Sequence, residues 1–262
     1  MASFTTDGVS IAYDDIQPPG WNTAIILIHG FASNRNEGWK RTGWYQAMER
    51  RRIRCIALDQ RGHGESEKLY DPALYTRENM ARDVLALMDH LDLGYADLFG
   101  FSMGTRTALQ AAMDAPDRVG NLILGGVGGK MLEGRQASSA STMTMAEAML
   151  APDADSITDP MMQSFRHFAT EQGEDLKALA ACSQSPNTPL DRDAMAGLAM
   201  PLLVIAGAHD ELAGDPQDLA YAFANGRAVT IPGCDHFSVI PHGMMKAAVF
   251  DFLDGSMDFE MR

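Results

Sequence analysis

The stretch that most constrains the fold is a serine between two glycines, Gly-Phe-Ser-Met-Gly at residues 100–104. The apolar run at residues 96–99 has the composition of a strand, and residues 105–113 carry apolar side chains at helical spacing. A turn this sharp leaves no room for a side chain at either glycine, and it lifts the serine hydroxyl above the sheet edge at a helix N-terminus. The pattern predicts a nucleophile elbow with Ser102 at its tip. The alternative is a glycine-rich turn that contains a serine by accident.

Strand-like and helix-like patterns alternate along most of the chain. Apolar, strand-like runs lie at residues 24–28, 54–58, 96–99, 119–124, 201–206 and 228–231, and helical patterns lie at residues 39–52, 76–91, 105–113, 215–224 and 241–253. Asp7 and Gly8 separate two alternating runs at the start of the chain, which predicts a β-hairpin there. Alternation of this kind is typical of a doubly wound, mostly parallel sheet, so the predicted fold class is α/β.

Residues 130–199 interrupt this alternation. They contain no strand-like run, several prolines and many methionines. We expect a helical cap here, inserted into a core formed by residues 1–129 and 200–262. Because the insertion follows the carboxyl end of a strand, it should cover the edge at which α/β sheets bind ligands. Its methionines suit an adaptable apolar pocket, and the alternative is that they only pack the cap's own core.

Composition argues against several classes of function. The chain has 262 residues, a formal net charge of −14 and no basic stripe, which argues against nucleic acid or an anionic membrane as a partner. No apolar run approaches the ~20 residues that span a bilayer, and the N-terminus lacks a signal-peptide pattern. The cysteines, Cys55, Cys182 and Cys234, are scattered and lack metal-ligand spacing. We therefore expect a cytoplasmic protein with reduced thiols and no metal; no pattern indicates an oligomeric state.

A serine nucleophile needs a base that takes its proton and a carboxylate that orients this base. His236 follows the last predicted strand, and Asp210 follows the strand before it. Since the carboxyl ends of parallel strands meet at one edge of the sheet, both side chains should lie near Ser102. The order serine, acid, histidine along the chain is one that sheet-based serine hydrolases use. We therefore predict a catalytic triad of Ser102, Asp210 and His236.

Other titratable side chains fit these roles less well. Glu211 and Asp215 are alternative acids near the same strand, whereas Asp235 adjoins His236 too closely to orient its ring. His29 is expected to brace a glycine turn by hydrogen bonding. The remaining histidines are expected in structural or surface positions: His63, His90, His167, His209 and His242. No histidine is spaced from carboxylates as metal ligands are.

Five stretches together resemble the α/β-hydrolase superfamily, over nearly the whole chain. They are His-Gly-Phe at residues 29–31, Asp-Gln-Arg-Gly-His-Gly-Glu-Ser at 59–66, the elbow at 100–104, Gly-Ala-His-Asp at 207–210 and Gly-Cys-Asp-His-Phe at 233–237. The chain is similar to the branch of capped carboxylesterases, enol-lactonases and cofactor-free haloperoxidases. The resemblance implies that the backbone amides of Phe31 and Met103 form an oxyanion hole, and that no cofactor is needed.

Two further features separate the chain from parts of this superfamily. A serine nucleophile distinguishes it from the dehalogenase and epoxide hydrolase branches, which use an aspartate at that position. Members often place a second small residue after the last glycine of the elbow, where this chain has Thr105 followed by Arg106. The sequence therefore does not determine how closely the following helix packs on the sheet.

The resulting expectation is a hydrolase of small carboxylic esters that works through an acyl-enzyme. Ser102 would attack the carbonyl, His236 would move the proton and Asp210 would orient His236. Hydrolysis of a lactone or a carbon–carbon bond, and perhydrolysis with peroxide, are alternatives on the same triad. A non-catalytic receptor for small molecules is the alternative of another class, since the fold also serves such roles.

Overall fold

The chain forms one eight-stranded sheet in a computed structural model that describes residues 2–133, 143–186 and 188–257. The strands are β1 (Ala2–Thr6), β2 (Val9–Ile16), β3 (Thr23–Ile28), β4 (Ile53–Leu58), β5 (Ala96–Phe101), β6 (Val119–Gly125), β7 (Leu202–Gly207) and β8 (Gly226–Ile231). Their order is β1-β2-β4-β3-β5-β6-β7-β8. Strand β2 runs antiparallel to β1 and β4, and all other neighbours are parallel. The predicted α/β class with a mostly parallel sheet is confirmed.

The predicted hairpin at the start of the chain is also confirmed. Strands β1 and β2 pair through a two-residue turn in which Asp7 and Gly8 have positive φ angles of 48° and 79°. Such a turn matches the right-handed twist of the two strands, which explains the preference for this dipeptide. The hairpin extends the parallel sheet because β2 also pairs with β4.

Nine α-helices accompany the sheet in the described residues. They are α1 (Trp44–Arg50), α2 (Arg77–His90), α3 (Met103–Asp114), α4 (Met145–Leu150), α5 (Pro160–Glu171), α6 (Leu176–Ser183), α7 (Arg192–Ala196), α8 (Pro216–Ala220) and α9 (Gly243–Leu253). Thr76 caps α2 as predicted, because its side chain accepts a hydrogen bond from the N–H of Asn79 at 3.2 Å. None of these helices combines the length and the apolarity that a transmembrane segment needs.

Two predicted helices are shorter than expected. The pattern at residues 39–52 is divided between a π-helical turn, Asn36–Lys40, and α1, because Gly43 between them has a φ of 80°. The pattern at residues 215–224 forms only α8. The chain turns back tightly after α8, where a Cβ atom on Gly226 would lie 2.2 Å from the carbonyl oxygen of Ala220.

The central strands β3, β4, β5, β6 and β7 are almost wholly buried, as their apolar runs predict, whereas β1 and β8 at the edges are more exposed. On β3, Ile26 and Ile28 belong to the apolar layer that includes α2 and α3, whereas Ile25 and Leu27 belong to the layer that includes α1 and α9. Helices therefore cover both faces, and the sheet is doubly wound. This arrangement leaves the carboxyl edge of the parallel strands for the loops that follow β3, β5, β7 and β8.

The described residues between β6 and β7 form helices and no strand. Helices α4, α5 and α6 enclose a small apolar cluster that contains Met149, Phe165 and Leu179 and reaches Ala32 in the loop after β3. This helical segment thus lies against a loop at the carboxyl edge of the sheet. Residues 134–142 and 187 of the predicted cap lie outside the described residues, and the cap boundaries at residues 130 and 199 stay a prediction.

Candidate active site

The predicted elbow is a real steric constraint. Ser102 lies between β5 and α3 with φ 53° and ψ −115°, a backbone conformation that residues other than glycine rarely adopt. A Cβ atom on Gly104 would lie 2.1 Å from the carbonyl oxygen of Ile28, and one on Gly100 would lie 2.4 Å from that of Gly104. Neither position accepts a side chain without moving backbone. The strained serine persists because its surroundings allow no other path.

Thr105 shows how the elbow accommodates a larger residue after the last glycine. Its side chain is buried, and its hydroxyl lies 3.1 Å from the carbonyl oxygen of Gly100 and 3.2 Å from that of Gly125. The N–H of Ser102 donates to the same Gly125 oxygen at 2.8 Å. The threonine therefore links the first turn of α3 to β5 and β6, and α3 packs tightly on the sheet.

The His236 ring lies within hydrogen-bond distance of the other two predicted triad residues. Nε2 of His236 is 2.9 Å from Oγ of Ser102, and its Nδ1 is 2.8 Å from Oδ2 of Asp210. The other carboxylate oxygen of Asp210 accepts hydrogen bonds from the N–H groups of Leu212 and Ala213, each at 3.0 Å. Asp210 and His236 are buried. With the proton on Nδ1 facing Asp210, Nε2 is left as the acceptor for the serine hydroxyl.

The loops that carry Asp210 and His236 are held together by close backbone contact. The N–H of His209 donates to the carbonyl oxygen of Cys234 at 2.8 Å. A Cβ atom on Gly207 would lie 2.2 Å from the same oxygen. The glycine at the end of β7 therefore lets the two loops touch, and this contact brings the carboxylate to the imidazole.

The alternative acids lie elsewhere. Asp235 accepts hydrogen bonds from the N–H and hydroxyl of Ser238 and from the N–H of Phe237, within its own turn. Asp215 is exposed and caps α8, and Glu211 is exposed. Within the described residues, neither Glu211 nor Asp215 forms a hydrogen bond or ion pair with His236.

The other histidines that the sequence places near the sheet edge have structural positions. His29 is fully buried; its Nδ1 donates to the Gly30 oxygen at 2.8 Å and its Nε2 accepts from the N–H of Gln60 at 3.0 Å. Burial lowers the pKa of His29 to about 4. Burial, aided by the nearby His29, lowers the pKa of His63 to about 3. His29 thus braces the glycine turn as predicted, in its neutral form.

Buried polar contacts behind the site were not predicted. Gln60 donates to the carbonyl oxygen of His29 at 2.6 Å and accepts from the hydroxyl of Thr107 on α3 at 2.7 Å. Glu174, between α5 and α6, accepts from the side chain of Asn34 at 2.8 Å and from the N–H of Gly64 at 2.9 Å. These contacts tie the elbow helix and the helical segment to the loops after β3 and β4. The polar composition of residues 59–66 is the sequence feature that could have indicated such a network, but it does not indicate the partners.

The positions of Phe31 and Met103 suit an oxyanion hole. Met103 is the first residue of α3, so its N–H has no partner within its own helix. Phe31 follows Gly30, whose Cβ position lies 3.1 Å from Cβ of Ser102. Both residues line the cavity at Ser102. Their role as donors to an oxyanion stays a prediction.

Two cavities meet at Ser102. The larger chamber, of about 400 Å³, is lined by residues of the elbow helix, of α2 and of the segment after β6, including Met131 and Met145. The smaller chamber, of about 170 Å³, has five phenylalanines among its lining residues: Phe31, Phe101, Phe165, Phe168 and Phe237. Ser102, His236, Phe31 and Phe165 border both chambers. Within the described residues, no three His, Cys, Asp or Glu side chains are grouped so that they could hold a metal ion.

Comparison with known proteins supports the same fold. A family profile described as alpha/beta hydrolase fold matches residues 23–155. The chain is 33% identical over 201 residues to the dihydrolipoyllysine-residue acetyltransferase component of an acetoin cleaving system from Pseudomonas putida, covering 72% of this chain and 52% of that protein. It is 30% identical over 197 residues to 3-oxoadipate enol-lactonase 2 from Acinetobacter baylyi, covering 71% of each chain.

Among solved structures, a hydrolase from Pseudomonas aeruginosa superimposes with a TM-score of 0.73 at 25% identity, covering 96% of this chain and 97% of that one. The chain spans about half the length of some curated relatives that it matches. The match to the family profile, the eight-stranded sheet and the elbow all lead to one assignment. The chain belongs to the α/β-hydrolase family.

Proposed function

We propose that the protein is a serine hydrolase that cleaves small carboxylic esters through an acyl-enzyme. The observation that carries this proposal is the hydrogen-bonded series from Ser102 through His236 to Asp210, with distances of 2.9 and 2.8 Å, at the tip of a strained elbow. A nucleophile, a base and an orienting carboxylate in this geometry are the parts that acyl transfer requires. Membership of a hydrolase family supports the same reaction class.

The geometry supports the following sequence of steps. His236 takes the proton of Ser102 as Oγ attacks the ester carbonyl, and Asp210 stabilises the imidazolium that forms. The N–H groups of Phe31 and Met103 receive the oxyanion of the tetrahedral intermediate, where one preorganised donor contributes about 3–4 kcal/mol. His236 then gives the proton to the leaving alcohol. In the second half of the reaction, His236 takes a proton from water as the water oxygen attacks the acyl carbonyl. It then returns this proton to Oγ of Ser102 as the bond to the acyl group breaks and the acid leaves.

The size of the site supports a small substrate. The smaller chamber holds only about 170 Å³, and five phenylalanines are among the residues that line it. One side of the ester bond must therefore carry a short group, whereas the larger chamber accepts more atoms. Apolar walls around a few polar groups are typical of small-molecule sites.

Hydrolysis of a lactone is a second candidate. The observation that favours it is the similarity to an enol-lactonase over 71% of both chains. A lactone is a cyclic ester, so the same three residues would open it through the same acyl-enzyme. Parallel assays with an alkyl ester and with a lactone of equal carbon number distinguish the two.

The proposal is tested by Ser102→Ala. We expect kcat for p-nitrophenyl butyrate to fall by at least about three orders of magnitude, because the nucleophile is lost while the fold is kept. A fluorophosphonate probe should label the parent and not the variant, and circular dichroism checks folding. Activity within tenfold of the parent would rule out Ser102 as the nucleophile. A parent that neither turns over esters or lactones nor reacts with the probe would favour a receptor.

A further inference from the structure

The smaller chamber concentrates aromatic side chains. Five of the chain's 11 phenylalanines line it, and they come from four parts of the chain: the loop after β3, the end of β5, helix α5 and the loop after β8. Of these five, only Phe31 and Phe165 also line the larger chamber, where four methionines join them. The aromatic rings are therefore collected in one of the two chambers that meet at Ser102.

These rings form one continuous series of contacts. The ring centroid of Phe165 lies 6.1 Å from that of Phe31 and 5.5 Å from that of Phe237, with an interplanar angle of 63° in both pairs. The Phe237 centroid lies 6.0 Å from that of Phe168 and 5.6 Å from that of His236. The His236 centroid is in turn 5.3 Å from that of the fifth phenylalanine, at the end of β5. Rings tilted against each other in this way present both edges and faces, so a further aromatic ring can make edge-to-face or offset contacts with them.

The polar side chains at this chamber favour an uncharged ligand group. Glu37 pairs with Arg41 at 3.0 Å, and the hydroxyls of Thr42 and Ser33 donate to backbone oxygens at 2.7 and 3.5 Å. No Lys or Arg is found among the described residues that line the chamber, so an anion would lose hydration without gaining a cation. A cation would lie beside His236, which itself becomes positively charged during acyl transfer. The chamber therefore suits an apolar group.

The volume of the chamber limits this group to a single ring. The chamber holds about 170 Å³. A protein cavity of about 150 Å³ lined by Leu, Ile and Phe side chains is large enough to bind benzene. One six-membered ring therefore fits, whereas a fused pair of rings would overfill the space.

We propose that the smaller chamber is a binding subsite for one six-membered aromatic ring. Both chambers border Ser102, so an ester bond held at this serine has one side in each. The preferred substrates are then small esters that carry one unfused aromatic ring on one side, while the larger chamber receives the other side. This inference rests on the proposed ester hydrolysis and names a substrate class for it.

Two matched pairs of esters test the subsite. Benzyl acetate and cyclohexylmethyl acetate differ in the ring on the alcohol side, whereas methyl phenylacetate and methyl cyclohexylacetate differ in the ring on the acyl side. Each kcat/KM is divided by the rate of alkaline hydrolysis of the same ester, which removes differences in intrinsic reactivity. We expect the aromatic member to be favoured by at least about fivefold in one pair, because contacts between aromatic rings add to the effect of buried area.

A third ester in the pair that shows the preference tests the size limit. Replacement of phenyl by 2-naphthyl should lower kcat/KM by at least about tenfold, because the second ring overfills the chamber. A naphthyl ester that is hydrolysed as well as the phenyl ester would overturn a subsite for a single ring.

Variants assign the aromatic preference to this chamber. Phe168 lines the smaller chamber and is not among the described residues that line the larger one. Phe168→Leu keeps an apolar side chain and should lower the preference at least about twofold, and Phe168→Leu combined with Phe237→Leu should lower it further. Phe4→Leu on β1 is the matched control, because Phe4 is buried against the rings of Tyr13 and His90 and is not among the described residues that line either chamber. It should keep the parental preference, and circular dichroism checks folding.

Binding separates this inference from the proposed function. NMR titration of Ser102→Ala measures the affinity for benzyl alcohol and for cyclohexylmethanol, with and without Phe168→Leu. If Phe168→Leu does not fold, NOEs between the ring protons of benzyl alcohol and those of phenylalanine side chains in Ser102→Ala test the contact, and their absence overturns the subsite.

The two proposals fail in different ways. Ester hydrolysis by the parent without preference for an aromatic ring, in rate and in affinity, overturns the subsite and leaves the esterase. Absence of any ester hydrolysis by the parent, together with Phe168-dependent preference for benzyl alcohol in binding, overturns the esterase and supports the subsite.

Discussion

At the scale of single residues, Ser102 has a strained backbone that hydrogen bonds of neighbouring residues hold in place. Its φ of 53° is a conformation that costs a non-glycine residue about 1–3 kcal/mol. The hydrogen bond from its N–H to Gly125, at 2.8 Å, and the buried hydroxyl of Thr105 hold the backbone in this conformation. In this conformation Oγ of Ser102 lies 2.9 Å from Nε2 of His236. Function at this position thus depends on bonds made by neighbouring residues.

Asp210→Asn should reduce kcat for p-nitrophenyl butyrate by roughly 10³–10⁴-fold with folding intact. The Asn oxygen keeps the bonds from Leu212 and Ala213, so its amide nitrogen faces Nδ1 of His236. The imidazole must then accept at Nδ1 and carry its proton on Nε2, which is the wrong tautomer for a base. Glu211→Gln, at the exposed neighbour, is the control and should stay near parental activity. If Asp210→Asn kept nearly the parental kcat while Glu211→Gln or Asp215→Asn lost most of it, the orienting acid would be Glu211 or Asp215 instead.

At the scale of elements, the packing of α3 on the sheet positions the site. The helix begins directly after Ser102 and touches β3 through Gly104, where no side chain fits. This close approach places the N-terminus of α3, which is the positive end of the helix dipole, next to the Ser102 side chain. Gln60 and Thr107 reinforce this packing by joining the loop after β4 to α3. Displacement of α3 would therefore move Ser102, the proposed nucleophile, together with the N–H of Met103, the proposed oxyanion donor.

Gly104→Ala should destabilise the fold by about 1–3 kcal/mol or prevent folding, because the new methyl group would meet the Ile28 carbonyl at 2.1 Å. The measurement is the free energy of unfolding in urea. Gly243→Ala is the matched control at the first residue of α9, where a Cβ atom would meet no atom within 4 Å. It should be neutral or stabilising by up to about 1 kcal/mol. Equal unfolding free energies for the two variants would show that α3 can move away from β3.

At the scale of the whole molecule, one sheet edge collects residues that are distant in sequence. Ser102 and His236 are 134 positions apart, and Glu174 joins the helical segment to loops after β3 and β4. The site lies between this segment and the edge, so its shape depends on both. Acyl-chain selectivity and pH-dependent stability are properties at this scale.

The kcat/KM for p-nitrophenyl esters should be highest at acyl lengths of about two to six carbons and then decline. Each buried methylene contributes up to about 0.8 kcal/mol until the chamber is full, after which overpacking costs about 1–3 kcal/mol. The series runs from acetate to palmitate under conditions that keep long esters monomeric. A steady increase through the long chains would indicate an open, lipase-like groove.

Stability should fall on acidification because the fold keeps His29 and His63 neutral. Burial lowers the pKa values to about 4 and about 3, below the 6.5 of an unperturbed histidine. Below about pH 6.5 these histidines therefore bind protons in the unfolded chain but not in the folded protein. As the pH falls from there to its folded pKa, each histidine lowers the unfolding free energy by up to about 1.4 kcal/mol per pH unit. Protonation of His29 would also break the bond from the Gln60 N–H.

The measured quantity is the difference in this pH dependence between the parent and His63→Asn. A difference is needed because burial raises the pKa of Asp59 and Glu174, whose titration has the opposite sign. Urea unfolding at pH values between about 7 and 4.5 should give a shallower fall for His63→Asn. His167→Asn, at an exposed position on α5, is the control. Parallel curves for the parent and His63→Asn would contradict the prediction.

Local sequence determined the secondary-structure elements. It also determined where the strands end, and the site lies at these strand ends. Steric exclusion at Gly100 and Gly104, the positive φ angles of Asp7 and Gly8, and the cap at Thr76 all act over a few residues. Apolar periodicity predicted the doubly wound sheet, since burial on both faces requires continuous apolar strands. The carboxyl ends of parallel strands then indicated where Ser102, Asp210 and His236 converge.

Only the tertiary structure decided among groups that are equivalent in local sequence. Asp210, rather than Glu211 or Asp215, contacts His236 because the bond between His209 and Cys234 joins two loops that sequence leaves separate. Arg106 likewise has the sequence pattern of an ordinary helix residue. Its place in the larger chamber depends on distant residues that line the same chamber, such as Met145 and Phe165. Local sterics and periodicity are encoded in neighbouring residues, whereas contacts between distant loops arise only when the whole sheet has formed.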